Sequence, residues 1–167
     1  MNPLPSPSIT AAINLFAETT ASSEQKEFTP EIAAHTRILL IDDQNLIRET
    51  VRMQLEILGC CPDNIIEAAD GLEALTVIND PDLIIDIMLL DIDMPHMNGI
   101  ELAQELQSRS IFLPAICHSG SNDSQKLTEM KGAGVQNFLP KPFRSKNLKN
   151  AIETVIDHTV LELRSNG

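Results

Sequence analysis

The chain has 167 residues, of which 43% are hydrophobic, so it is long enough to bury a core and too apolar for a disordered protein. Its formal net charge of -12 disfavours nucleic acid and anionic lipid as partners, and with no Trp or Tyr it offers few rings on which bases could stack. The acidity either favours basic protein surfaces and cations or only confers solubility.

The three cysteines do not form a disulfide framework. Cys60 and Cys61 are adjacent, Cys117 is the odd third, and no cysteine or histidine spacing typical of a zinc site occurs. The adjacent pair is interpreted as buried small apolar residues, with a redox role as the alternative. This cysteine usage is typical of a reduced, cytoplasmic protein. The N-terminus has neither a basic start nor a long apolar run, so we expect no signal peptide and no membrane span.

Residues 1–36 form an N-terminal extension that is rich in Pro, Ser, Thr and Glu and has no Arg. The spacing of Ile9, Ile13 and Phe16 favours a short amphipathic helix. Thr29-Pro30-Glu31 combines a cap, a first-turn proline and a first-turn acid, which predicts a second short helix. A flexible extension is the alternative to elements docked on a domain.

From residue 37 onward, short apolar runs alternate with helical patterns. Strands are predicted over 38–41, 64–68, 84–90, 114–118 and 135–139. Helices are predicted over 47–58, 71–78, 99–106 and 122–131, and Ser145 is expected to cap a last helix. This alternation predicts an α/β fold with a doubly wound, five-stranded parallel sheet and helices on both faces. In such folds the site lies beyond the carboxyl ends of the strands.

Polar side chains follow four of the predicted strands. Asp42 and Asp43 follow the first strand, Asp91 the third, Ser119 the fourth and Lys141 the fifth. Carboxylates that converge repel one another, and oxygen ligands without His or Cys suit Mg²⁺. A lysine and a hydroxyl would hold phosphoryl oxygens, and a carboxylate can act as the nucleophile that forms an aspartyl phosphate. The pattern therefore predicts a phosphoryl-transfer site with Asp91 as its reactive group.

Residues 37–158 resemble the receiver domain of two-component response regulators, a flavodoxin-like (βα)5 fold, here of the single-domain chemotaxis type. The motifs that carry the resemblance are Ile-Asp-Asp at 41–43, Glu-Ala-Ala-Asp-Gly at 67–71, Leu-Leu-Asp-Ile-Asp-Met-Pro at 89–95, Met-Asn-Gly at 97–99, Ser119, and Lys-Pro-Phe at 141–143. Each motif is weak alone, and their order along the chain makes them specific. Residues 159–167 are then the end of the last helix and a tail.

The resemblance implies roles for the residues at the strand ends. Asp91 is expected to be the phosphoacceptor. Mg²⁺ is expected to bind Asp42, Asp43, Asp91 and the backbone carbonyl of Asp93. Lys141 is expected to pair with the phosphoryl group, next to a cis Lys141–Pro142 bond. The Asp93 side chain could also be a solvated loop acid.

Two further residues match the switch positions of the family. Ser119 is expected to move toward a phosphoryl oxygen on activation, and Phe138 to move inward with it. An ordinary core aromatic is the alternative for Phe138. His118, directly before Ser119, has either a structural role or a role as a ligand, and His96 is interpreted as an exposed loop residue. Asp86 lies in the same apolar stretch as Asp91 and is expected to open the strand.

The implied function is to accept a phosphoryl group from a histidine kinase or a histidine phosphotransfer protein and thereby to switch binding to a downstream protein. Such a domain assists its own phosphorylation and dephosphorylation without being a classical turnover enzyme. The chain ends soon after the last helix, so we expect output through protein binding or phosphorelay. A homodimer through the fourth helix, fifth strand and fifth helix is expected, because the last helix stays apolar to Val160 and Leu163.

Several alternatives remain open. Within the family, the chain could be a phosphorelay intermediate or a receiver fragment of a hybrid kinase. A haloacid-dehalogenase-type phosphatase also uses Asp-x-Asp, which Asp91-Ile92-Asp93 matches, but on its first strand rather than its third. A phosphorylation-independent pseudo-receiver is the third class, against which the complete set of acids, Ser119 and Lys141 argues.

Overall fold

The computed structural model describes residues 27–120 and 123–165, of which 158–165 through the backbone alone. The helix predicted around Ile9, Ile13 and Phe16 lies outside the described residues. No helix in the described part is both long enough and apolar enough to cross a membrane.

The described residues form a single sheet of five parallel strands with the order β2-β1-β3-β4-β5, flanked by six α-helices. The strands are β1 (Ile38–Ile41), β2 (Ile65–Ala68), β3 (Ile87–Leu90), β4 (Ala115–Ser119) and β5 (Asn137–Pro140). The helices are α1 (Pro30–His35), α2 (Asn45–Ile57), α3 (Gly71–Ile78), α4 (Gly99–Ser108), α5 (Ser124–Gly132) and α6 (Ser145–Ser165), with a 3-10 helix at Pro62–Asn64. The predicted doubly wound parallel sheet is confirmed, and α1 precedes it as a sixth helix.

The side chains of β1 alternate between two apolar cores, and all of its residues are buried, as predicted for a strand covered on both faces. Ile38 and Leu40 belong to the first core, which α2 and α6 cover. Leu39 and Ile41 belong to the second core, which α3, α4 and α5 cover. The sheet is therefore held from both sides, and its strand ends are rigid supports for polar groups.

Several element boundaries differ from the prediction, as at β5, which begins at Asn137 rather than at residue 135, and two of the differences follow from specific hydrogen bonds. The third strand begins at Ile87 rather than at residue 84, because Asp86 Oδ2 accepts the Arg37 N–H at 2.8 Å and closes that end of the ladder. Asp86 thus opens the strand, as expected, at the end opposite to Asp91. Ser145 is the first residue of α6 and not its cap, since the Arg144 carbonyl already accepts the Leu148 N–H at 3.1 Å.

The described part of the N-terminal extension packs on the first core. Thr29 caps α1, accepting the Ile32 N–H, so the helix predicted from Thr29-Pro30-Glu31 is confirmed. Phe28 is only 2% exposed, and its N–H donates to Glu153 Oε1 of α6 at 2.9 Å. A Cβ on Gly59 would lie 3.0 Å from Pro30 Cα. Residues 28–36 are therefore docked against α6 and the end of α2.

The described chain holds its cysteines as free thiols, and burial sets the ionisation of two of them. Burial raises the pKa of Cys60 from an ordinary 9.0 to about 12, with a smaller contribution from the neighbouring Cys61. Burial likewise raises the pKa of Cys117 to about 12. Cys60 lies in the first core, which supports its interpretation as a small apolar residue.

Because these thiols are buried, we expect the free energy of unfolding to fall in alkaline solution. Above pH 9 the unfolded chain ionises both thiols while the native state keeps them protonated, so the native state binds more protons and the free energy of unfolding falls as pH rises. At pH 10 each thiol contributes a loss of about 1 kcal/mol relative to pH 8. Urea unfolding at pH 8 to 10.5 measures this decline, and the chain has no tyrosine that would titrate in the same range. Cys60→Ala should show a shallower decline, and a decline equal to that of the wild type would contradict the assignment.

Candidate functional site

Two carboxylates and a lysine meet at the carboxyl ends of the central strands. β1 and β3 are hydrogen-bonded neighbours with Ile41 opposite Leu90, so Asp42 and Asp91 come side by side where the strands end. Lys141, directly after β5, places its Nζ 2.6 Å from Asp42 Oδ2 and 3.0 Å from Asp91 Oδ1. Three of the predicted site residues are thus in direct contact.

Both carboxyl groups are almost fully removed from water, Asp42 with 0% and Asp91 with 5% of its surface exposed. Burial raises the pKa of Asp91, and the Lys141 ammonium partly opposes that rise. Burial lowers the pKa of Lys141, but the hydrogen bonds to Asp42 and Asp91 outweigh it, so the net pKa is raised. One ammonium therefore faces two buried carboxylates, and the site favours additional positive charge.

The backbone around Asp42 holds its carboxylate in place. Asp42 Oδ1 accepts the Gln44 N–H at 2.9 Å, and the Asp42 carbonyl accepts Arg48 Nη1 at 2.6 Å. Asp43 is exposed at the mouth of the site. Two fixed buried carboxylates beside an exposed one suit Mg²⁺, which binds through one or a few carboxylates and keeps several waters. The residues present therefore fit the predicted ion.

The two predicted switch residues lie on β4 and β5. Ser119 is the last residue of β4 rather than the first after it, and its carbonyl accepts the Lys141 N–H at 2.9 Å, which ties the hydroxyl-bearing residue to the lysine. Phe138 is half-buried against the second core, with Lys131 Nζ 5.6 Å from the centre of its ring. Phe138 therefore lies between core and solvent, under a cation from α5. The Lys141–Pro142 bond is cis, as predicted.

The Asp93 side chain is not simply solvated, because it forms a salt bridge with Lys126 of α5. The hydrogen bond to Asp93 raises the pKa of Lys126. This contact links the loop after β3 to α5 at the mouth of the site. No local sequence signal indicates this salt bridge, since the two residues belong to separate βα units.

The loop after Asp91 is anchored to the start of α3. His96 is exposed, as expected, and its Nδ1 lies 2.7 Å from Oδ2 of Asp70, the cap of α3. The Gly71 N–H donates to the Met97 carbonyl at 3.0 Å. Asn98 caps α4 in a capping box with Glu101. Two of the sequence motifs that surround the site therefore act together to hold the loop that follows Asp91.

His118 lies beneath the carboxylates and is fully buried. Its Nδ1 is 3.7 Å from Asp42 Oδ2, and its ring meets Phe143 edge-on at 6.0 Å. Burial and, secondarily, the Lys141 charge lower the pKa of His118 to about 4, against opposing influences from Asp42 and the Leu89 backbone. Within the described chain neither ring nitrogen meets hydrogen-bond geometry. Its alternation with Ile116 on β4 was the signal that could have placed it under Asp42.

The comparisons with known proteins agree with this geometry. The family model described as "Response regulator receiver domain" matches residues 38–153. The response regulator MprA of Mycobacterium ulcerans is 31% identical over 126 residues, which cover 75% of this chain and 52% of that protein. The chemotaxis protein CheY1 of Helicobacter pylori is 30% identical, over 72% of this chain and 96% of that protein.

Solved structures show the same likeness. A CheY-like receiver domain protein from Methanospirillum hungatei superposes with a TM-score of 0.68 at 25% identity, over 76% of this chain and 98% of that one. The chemotaxis protein CheY4 of Vibrio cholerae gives a TM-score of 0.63 at 29% identity, over 72% of this chain and 98% of that one. The chain spans about half the length of the MprA relatives that it matches. With its five-stranded sheet, its paired acids and its lysine in the expected places, the chain belongs to the family of response regulator receiver domains.

Proposed function

We propose that this protein is a phosphorylation-controlled switch whose phosphoacceptor is Asp91. The observation that carries the proposal is the buried contact of Lys141 with both Asp42 and Asp91 at the ends of the central strands. Such a contact holds one carboxylate as a nucleophile next to a cation that is already positioned for the incoming negative charge.

In the proposed reaction a carboxylate oxygen of Asp91 attacks the phosphorus of a phosphohistidine, and the nitrogen–phosphorus bond breaks as the oxygen–phosphorus bond forms. The imidazole leaves with the electron pair. Lys141 exchanges its contact with Asp91 for one with the transferred phosphoryl oxygens. Mg²⁺ held by Asp42, Asp43, Asp91 and the Asp93 carbonyl would neutralise charge on the phosphoryl group. The domain thus assists its own phosphorylation and, with water as the nucleophile, its own dephosphorylation.

The change at Asp91 is proposed to reach the surface through Ser119 and Phe138. The Ser119 carbonyl accepts the Lys141 N–H, so the backbone that carries the hydroxyl is joined to the residue whose ammonium changes partner. Phe138 is half-buried next to Lys131 of α5, so its ring lies at the boundary between the second core and the surface. The face formed by α5, β5 and α6 is then the proposed surface for a downstream protein and for a homodimer.

The proposed donor is a histidine kinase or a histidine phosphotransfer protein in the cytoplasm. A relay intermediate and a receiver of a hybrid kinase share the same chemistry at Asp91. They differ in where the phosphoryl group goes next, so transfer from the phosphorylated protein to a purified phosphotransfer domain distinguishes a relay from a terminal switch.

The test is intact-mass spectrometry after incubation with acetyl phosphate and Mg²⁺. We expect the wild type to gain one phosphoryl group and the Asp91→Asn variant or an EDTA-treated sample to gain none. Asp63→Asn, which removes an exposed acid away from the site, is the matched control and should gain the group normally. Light scattering of the same samples tests the homodimer, which a monomer in both states would contradict.

The outcomes separate the proposed function from its alternatives. No mass gain under any condition would favour a pseudo-receiver or a domain that accepts the phosphoryl group only from its kinase. Steady release of phosphate from an added phosphomonoester, without a lasting mass gain, would favour a phosphatase. A gain that persists in Asp91→Asn would place the phosphoacceptor elsewhere.

A further inference from the structure

The position of His118 is unfavourable for the stability of the fold. It is fully buried, and neither ring nitrogen forms a hydrogen bond within the described part of the molecule. A buried polar group without a partner destabilises a fold, and an apolar residue of similar volume would be better there. The phosphorylation chemistry proposed above makes no use of the His118 imidazole. A further ligand for this ring would account for its position.

The two buried carboxylates lie within reach of the ring. Ligand atoms of Asp42, Asp91 and His118 all lie within 4.8 Å of one another, and the His118 Nδ1 is 3.7 Å from Asp42 Oδ2. Ligands of one tetrahedral zinc ion, each about 2 Å from the metal, lie about 3.3 Å apart. Small side-chain rotations would therefore close the three atoms around one ion.

The site already stabilises a positive charge in this place. The Lys141 ammonium contacts both carboxylates, and the lysine side chain is 15% exposed, so it has a way out toward solvent.

We propose that Asp42, Asp91 and His118 form a second metal site, for a divalent ion that accepts nitrogen ligands, with Zn²⁺ as the representative. The ligand set differs from that of Mg²⁺ because an imidazole takes the place of the exposed Asp43. Three protein ligands leave a fourth position for water. Since both sites use Asp42 and Asp91, the two ions exclude each other.

This second site has a regulatory consequence, which rests on the proposed function. With Asp91 bound to Zn²⁺ and Lys141 displaced, the carboxylate is not free to attack phosphorus. Occupancy of the second site therefore blocks phosphorylation, and raising Mg²⁺ relieves the block by competition.

The test measures Zn²⁺ binding on the full chain, by competition with a chromophoric chelator, independently of phosphorylation. We expect His118→Leu to bind Zn²⁺ at least about tenfold more weakly than the wild type. Asp43→Asn is the matched variant, expected to weaken Mg²⁺ binding about tenfold while its Zn²⁺ affinity stays within about threefold. Thermal unfolding shows whether His118→Leu folds, and we expect it to be at least as stable as the wild type.

A measurement on the wild type tests whether Zn²⁺ binds His118 even if a variant misfolds. In protein labelled with ¹⁵N-histidine, adding Zn²⁺ should shift a ring nitrogen of His118. Equal Zn²⁺ affinity in His118→Leu, or shifts confined to the other histidines, would overturn the proposal. A chain that binds Zn²⁺ at His118 but takes no phosphoryl group would support this site while contradicting the proposed function.

Discussion

Replacing Lys141 with methionine should lower the free energy of unfolding at pH 7 by about 3 kcal/mol, because it leaves two buried carboxylates without their counter-charge. Methionine keeps most of the unbranched side chain and removes the ammonium that donates to both carboxylates. Asp42 is 0% exposed and cannot turn to water, so the cost is that of a broken buried ion pair rather than of a surface one. Urea denaturation followed by circular dichroism measures the loss.

The pH dependence of this loss has a definite sign. Burial raises the pKa of Asp91 in the native state, and Lys141, which opposes that rise, is absent from the variant. Between the unfolded and native pKa values the native variant binds more protons than the unfolded chain, so its stability increases as pH falls. The deficit relative to the wild type should therefore shrink from pH 7 toward pH 5. Added Mg²⁺ should stabilise the variant more than the wild type, since it supplies the missing positive charge.

Lys126→Met is the matched control for Lys141→Met. It removes the same charge from the salt bridge with Asp93, which lies at the surface, and should leave stability unchanged within error. Equal losses in the two lysine variants would contradict the importance of burial. In the double variant Asp91→Asn with Lys141→Met, part of the lost stability should return, because one of the two unpaired charges is gone.

Replacing Gly99 with alanine should cost about 3 kcal/mol, since the new methyl group has nowhere to go. A Cβ there would lie 2.2 Å from the carbonyl oxygen of Asp91 and 3.0 Å from Ile92 Cα. Both are backbone atoms of the loop that carries the phosphoacceptor, so they cannot move aside without moving Asp91. A displacement near 1 Å can slow a positioned reaction about 100-fold. We expect phosphorylation by acetyl phosphate to slow by a similar factor.

Gly132→Ala, the same substitution at another glycine, is expected to raise stability rather than to lower it as Gly99→Ala does. Gly132 is the last residue of α5, and a Cβ there meets nothing within 4 Å. Alanine is the better helix former, so this variant should gain roughly 0.5 kcal/mol. Chemical denaturation and the rate of mass gain compare the two variants. A Gly99→Ala protein with normal stability and a normal phosphorylation rate would show that the loop after β3 yields easily.

The sheet and most of the site could be predicted because their signals are local. An apolar run such as Ile38–Ile41 identifies a strand buried on both faces, and parallel strands bring Asp42, Asp91 and Lys141 to one edge whatever their separation along the chain. Backbone signals such as the Thr29 cap and its proline were equally readable. Each of these inferences needs only a few consecutive residues.

The parts that escaped prediction depend on contacts between distant residues. Nothing near Phe28 indicates that its N–H will meet Glu153, 125 residues away. The start of β3 is set by a hydrogen bond between the Asp86 side chain and the Arg37 backbone. The periodicity of apolar residues does not indicate such a contact. Alternation with Ile116 along β4 indicates the face on which His118 lies, but its lack of a hydrogen-bond partner depends on the packing around it rather than on a sequence pattern.

The docking of residues 28–36 has a consequence for the choice of N-terminus when a shortened form of this protein is made. Its boundaries in the family model begin at residue 38, after Phe28 and Ala33, which are 2% and 0% exposed. A chain started at that boundary would uncover the apolar surface of the first core beneath these side chains. Such a surface attracts other apolar surfaces. Self-association of the shortened protein would then result from the removal of residues 28–36 and would not be a property of the full chain.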